Sequence, residues 1–107
     1  MRMPWVSDLK QLLGEGLYLH NIRRIIECCD RGLKEEQHAL AAYVVRSVVA
    51  DLQRDWEGQA VTVEEARRVE ARLLPALSAV VAGIERGDAL PILCEPLASL
   101  ARTATRL

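Results

Sequence analysis

Apolar residues in the middle of the chain recur with the period of an α-helix. Wound at about 100° per residue, the stretch 33–57 places its apolar side chains on one broad arc: Ala41, Val44, Val45, Val48, Val49, Leu52 and Trp56. Polar side chains such as Glu35 and Gln53 fall on the opposite side. Because no charge lies between Ala39 and Val45, the pattern predicts a helix that neighbouring helices cover on several sides.

The same periodicity before and after this stretch predicts further helices. With the central one, they cover approximately residues 5–13, 17–31, 33–57, 62–86 and 89–105. Short turns, most of them containing glycine, separate them. At 107 residues the chain is long enough for one core of ordinary size. We therefore expect a single all-α domain over residues 1–107, built as an antiparallel four-to-five-helix bundle.

Local start and stop signals refine these boundaries. Thr62 and Glu65 stand at the spacing of a capping box, which predicts a helix start at that threonine. Gly32 followed by Leu33 fits a left-handed helix ending with its apolar contact. Pro96 lies inside the last apolar repeat and predicts a break of that segment into two pieces.

Composition and charge exclude several classes of partner. The formal net charge is −1, with 14 basic and 15 acidic residues, so no overall field attracts nucleic acid or an anionic membrane. The start of the chain lacks the apolar region of a signal peptide, and the longest uncharged run, Leu73 to Ile84, is too short to span a bilayer. Three cysteines in no disulfide-scaffold spacing indicate reduced thiols. We expect a cytoplasmic protein with no nucleic-acid or membrane partner.

A second set of uncharged side chains on the central helix predicts an interface. The set and the arginine that it flanks are Ala39, Tyr43, Arg46 and Ala50. Small residues permit close approach of two helices across a two-fold axis, with Arg46 reaching Glu35 or Glu36 of the other chain. The sequence carries no catalytic or nucleotide-binding signature. We therefore expect a non-catalytic protein–protein interaction or regulatory module that forms a homodimer.

An alternative interpretation makes His38 a phosphoacceptor. The run His38-Ala39-Leu40-Ala41-Ala42 resembles a histidine-phosphotransfer motif, with leucine two residues after the histidine and a small residue four after it. The resemblance implies a signalling bundle that presents a solvent-facing histidine in mid-helix. The chain departs from that family at Ala41, where a lysine usually helps to hold the phosphoryl group, and at Ala42, where glycine is usual.

A small ligand-binding or metal-binding bundle is a further alternative. Its metal ligands would be Cys28, Cys29, Cys94 and His20. Adjacent residues on a helix project about 100° apart, which separates Cys28 from Cys29 and disfavours a shared tetrahedral site. We therefore expect structural thiols, with Cys29 on the apolar face and Cys28 towards its edge, and no metal or cofactor.

The first third of the chain carries one local resemblance. Its residues lie between Leu9 and Leu33: Leu12-Leu13, Leu17-Tyr18, Ile22-Arg23-Arg24-Ile25-Ile26 and Gly32-Leu33. This segment resembles the opening of effector-associated, death-like adaptor domains in bacterial conflict systems. The resemblance implies an adaptor domain in a bacterial protein. The gap between Ile26 and Gly32 is longer than in that pattern, and the remaining predicted helices are longer than those of a death-like fold.

Overall fold

The computed structural model describes residues 4–107, and this part of the chain forms five α-helices and no strand. The helices are α1 (Pro4–Gly14), α2 (Leu19–Gly32), α3 (Ala39–Glu57), α4 (Val63–Glu85) and α5 (Leu90–Thr105). The all-α prediction is therefore confirmed for these residues. Residues 1–3 of the predicted domain lie outside the described range. None of the five helices is both long and apolar enough to cross a membrane.

The five helices pack as a ring around one apolar core. Going round the ring, α1 packs against α2, α2 against α3, α3 against α5, α5 against α4, and α4 against α1. The largest side chains that are almost completely excluded from solvent come from all five helices: Trp5, Val6, Leu9, Ile22, Ile25, Val45, Val49, Leu73, Leu77, Ile84, Leu93 and Leu100. Burial of each large apolar side chain contributes about 1.5–3 kcal/mol. The helices are thus held mainly by their apolar faces.

The third helix begins at Ala39, so the prediction that it begins directly after Gly32 is wrong. Tight turns connect α2 to α3, in which the Glu35 N–H donates to the Gly32 carbonyl at 3.0 Å and the His38 N–H donates to the Glu35 carbonyl at 2.9 Å. The residues from 34 to 37 are all polar and exposed. With no apolar side chain to bury, this stretch gains nothing from packing as helix against the core.

Gly32 has a packing role instead of the predicted left-handed conformation. It is the last residue of α2, and the glycines with positive φ in the described chain are Gly16 and Gly87. A Cβ atom on Gly32 would lie 2.7 Å from Cδ2 and Cε3 of Trp5. The missing side chain therefore lets the indole of α1 lie directly against the backbone of α2.

The start of α4 is confirmed at the predicted capping residue. The Thr62 hydroxyl accepts a hydrogen bond from the Glu65 N–H at 3.1 Å. The Glu65 carboxylate lies 3.8 Å from the Arg68 guanidinium. The threonine therefore satisfies one of the unpaired amides of the first helical turn.

The predicted break at Pro96 is wrong, because α5 runs through it from Leu90 to Thr105. Proline inside a helix removes one backbone hydrogen bond and costs about 3 kcal/mol. Leu93, Leu97 and Leu100 on the same helix are all buried. Their combined burial exceeds that cost, so the helix continues.

Candidate functional site

The outward face of α3 exposes apolar side chains along its first half. Leu40 is 50% exposed and Tyr43 is 61% exposed, and a spacing of three residues puts them side by side on one helix face. Half-buried Ser47 continues this face, and half-buried Ala39 and Ala50 lie at its edge. We name these five residues the α3 patch. The patch carries no charge of its own, and half of Leu40 and more than half of Tyr43 are exposed to solvent.

Arg46, a predicted interface residue, is engaged within its own chain. Its Nε lies 2.6 Å from Oδ1 of Asp30 on α2. The predicted ion pair with an acid of a second chain would have to replace this contact. An exposed pair of this kind contributes about 0–1 kcal/mol. It places the Arg46 guanidinium against Asp30 of α2.

Three residues of the α3 patch, Ala39, Tyr43 and Ala50, were predicted from the sequence, whereas Leu40 and Ser47 were not. The small residues Ala39 and Ala50 indicated a close approach of two helices. The largest exposed aliphatic side chain of the α3 patch is that of Leu40. The signal was present, because Leu40 precedes Tyr43 by three residues on a face that the buried arc of α3 leaves free. Ile92 on α5 is another exposed apolar residue, at 60%. The spacing of apolar residues in the sequence did not indicate that it faces solvent.

His38 lies at the residue immediately before α3, and its side chain is half-buried. Its ring centroid is 6.1 Å from that of Trp5, with the two planes tilted by 47°. A phosphotransfer histidine sits in mid-helix and faces solvent, whereas His38 packs beside the indole that covers Gly32. The histidine therefore closes the end of the core at the α2–α3 connection.

The structure does not bring the proposed metal ligands together. Cys28 and Cys29 are buried on α2, while Cys94 and His20 are exposed. Within residues 4–107, no group of three or more histidine, cysteine, aspartate or glutamate side chains is arranged to hold a metal ion. The Cys28 thiol donates a hydrogen bond to the Trp5 carbonyl at 3.0 Å, which ties α2 to the start of α1.

Burial controls the reactivity of the two adjacent thiols. Loss of solvation raises the pKa of Cys29 to about 12 and raises the pKa of Cys28 above its usual range. Since the thiolate is the reactive form, we expect iodoacetamide near pH 8 to modify Cys94 in the folded protein and to leave the other two thiols intact. Peptide mass spectrometry measures this. In denaturant all three thiols should react. Equal labelling of the three thiols in the folded protein would contradict the burial of Cys28 and Cys29.

Two polar side chains that the sequence analysis did not single out organise the turn between α1 and α2. The fully buried Asn21 amide donates from Nδ2 to the Leu12 carbonyl at 2.7 Å and to the Gly16 carbonyl at 2.6 Å. The Leu17 N–H donates to Oε2 of Glu70 on α4 at 2.9 Å. These bonds satisfy backbone groups that the helix ends leave unpaired. Their role is therefore structural.

The segment that resembles death-like adaptor domains, Leu9 to Leu33, forms most of α1, the following turn and α2. Its matching apolar residues, such as Leu12 and Ile22, are buried in the core. Core positions of this kind recur in unrelated helical domains, so they carry fold information and no partner information. The chain matches no family model, no curated protein sequence and no solved structure.

Proposed function

We propose that this protein is a non-catalytic helical interaction module that associates with a second copy of itself through the α3 patch. The observation that carries the proposal is the exposure of Leu40 and Tyr43 beside each other on one helix. Removing apolar surface from water is worth about 25 cal/mol per Å². Association that covers Leu40 and Tyr43 therefore gains burial free energy that is not available to the isolated chain.

The composition of the α3 patch favours a second copy as its partner. A two-fold axis brings identical surfaces together, so a surface with a single sign of charge would repel itself. The patch is uncharged, and its members Ala39, Ser47 and Ala50 are small enough for two helix backbones to approach closely. In this arrangement each Tyr43 packs against the Leu40 side of the partner.

The expected dimer is weak and reversible. A stable interface buries about 800 Å² on each partner, and one helix face of five mostly small or half-buried residues provides less than this. Since only the surplus over the cost of association appears as affinity, we expect dissociation constants in the micromolar range. Regulation by concentration follows directly from such an equilibrium.

The proposal includes an antiparallel bundle as the scaffold that presents α3. Arg23 near the start of α2 lies 3.5 Å from Glu57 at the end of α3. Arg31 near the end of α2 lies 2.8 Å from Asp8 in the first half of α1. Both ion pairs support opposite directions for these neighbouring helices. We place the protein in the cytoplasm, where its three thiols stay reduced.

Tyr43→Glu tests the dimer. We expect the parent protein to shift from monomer to dimer as its concentration rises to high micromolar, and the variant to bind itself more weakly by at least about tenfold, because an unpaired carboxylate at an interface costs several kcal/mol. Sedimentation velocity or light scattering over a concentration series measures both.

Tyr18→Glu is the matched control. Tyr18 is the other exposed tyrosine, 46% exposed, and it precedes α2 away from the α3 patch. The same chemical change there should leave association unaltered, and circular dichroism should show equal helix content in both variants. A parent protein that stays monomeric at high micromolar concentration contradicts the proposal, as does equal disruption by the two substitutions.

A further inference from the structure

A cavity between α4 and the last turns of α5 is lined by three arginines. Its volume is about 370 Å³, and its lining residues are Arg72, Ser99, Arg102, Thr103 and Arg106. The lining contains two hydroxyl groups and no carboxylate. This local positive charge contrasts with the formal net charge of the whole chain, which is −1.

Two of the three arginines that line this cavity have no ion-pair partner among the described residues. In the part of the chain that the structure describes, Arg72 and Arg106 have no carboxylate within ion-pair distance, and Arg67 is the one other arginine in that position. Arg72 instead donates from Nη1 to the backbone carbonyl of Arg106 at 3.4 Å. This bond holds the Arg72 guanidinium over the end of α5.

The third guanidinium is only loosely engaged. Arg102 Nη2 lies 3.6 Å from Oε1 of Glu95, whose side chain is 83% exposed. A long contact with a solvated carboxylate contributes little, so an anion in the cavity can compete for this arginine. The Thr103 hydroxyl donates its proton to the Ser99 carbonyl at 2.9 Å. The Ser99 hydroxyl is the other hydroxyl donor among the lining residues.

We propose that this cavity binds a compact phosphate-bearing small molecule, with diphosphate as its simplest form. Guanidinium groups bind phosphate oxygens through paired N–H donors, and three of them match the several charges of a diphosphate. The carbonyl end of α5 carries roughly half a negative charge, which disfavours a bound anion. The three positive charges of Arg72, Arg102 and Arg106 outweigh it.

The geometry favours a free ligand over a lipid surface that presents the same phosphate chemistry. The three arginines line one cavity of about 370 Å³, whereas membrane binding uses an extended basic face. The site also lies apart from the α3 patch in sequence and on different helices. Its test is therefore independent of the proposed dimer.

Titration with pyrophosphate, followed by ¹H–¹⁵N NMR at low ionic strength, tests the site. We expect saturable shifts at the Ser99 and Thr103 amides, with inorganic phosphate binding more weakly. Arg72→Gln and Arg106→Gln should each weaken binding by about fivefold, the size expected for loss of one exposed charged contact. Arg67→Gln is the matched control, because it removes the same charge from α4 outside the cavity, and it should change binding by less than about twofold.

Three outcomes would overturn the proposal. The first is the absence of saturable shifts at these amides with pyrophosphate. The second is equal weakening by all three substitutions, which indicates general attraction of anions without a site. The third is sedimentation of the protein with phosphatidic-acid vesicles that pyrophosphate does not compete away, which assigns the arginines to a lipid surface.

Discussion

Gly32→Ala is expected to lower the free energy of unfolding by about 1–3 kcal/mol, the range for inserting a methyl group into a filled core. The added Cβ would lie 2.7 Å from the Trp5 ring. That ring has little freedom to move, because Trp5 is 2% exposed and its backbone carbonyl accepts the Cys28 hydrogen bond. Relief of the clash therefore requires α1 to shift away from α2, which opens space elsewhere in the core.

Gly14→Ala is the matched control for this substitution. Gly14 also ends a helix, α1, and a Cβ atom there would meet no atom within 4 Å. The same change should be neutral or stabilise the protein by up to about 1 kcal/mol, since it reduces the freedom of the unfolded chain. Urea unfolding of the two variants measures the difference. Equal midpoints for Gly32→Ala and the parent would show that Trp5 does not pack against α2 in this way.

Features that depend on neighbouring residues could be predicted from the sequence. The Thr62 cap needs only a hydroxyl and an amide three residues later, and the structure contains that bond. The helical character of the chain follows in the same way from the spacing of apolar residues. The α3 patch was partly predictable for this reason, because Tyr43 stands outside the apolar arc of its own helix.

Features that depend on distant residues could not be predicted. A glycine before a leucine is consistent with a left-handed helix ending, and nothing local to Gly32 reveals that Trp5 occupies the space of its side chain. Asn21 is similar, since its role requires the carbonyls of Leu12 and Gly16 to converge on one amide. The arginine cavity also requires knowledge of how α4 meets the end of α5.

Asn21 provides the second large expected effect. Asn21→Asp should destabilise the protein by more than about 3 kcal/mol near pH 7, because it replaces two hydrogen-bond donations by a buried charge facing two carbonyl oxygens. Asn21 is 0% exposed, so water does not solvate the new carboxylate. Against a total stability of about 5–15 kcal/mol, this single oxygen-for-nitrogen exchange is a large loss. Chemical unfolding near pH 7 measures it.

The pH dependence of this loss distinguishes a buried charge from a merely missing donor. Burial raises the pKa of the introduced carboxyl above its value of about 3.9 in the unfolded chain. The folded variant then binds the proton more tightly than the unfolded one. The loss relative to the parent is therefore smallest below the unfolded pKa, grows as pH rises, and is complete once pH exceeds the folded pKa. Asn21→Leu removes the same donors without a titrating group, so its loss should not vary with pH. If Asn21→Asp shows the same flat difference across this range, the amide does not lie in a buried site between α1 and α2.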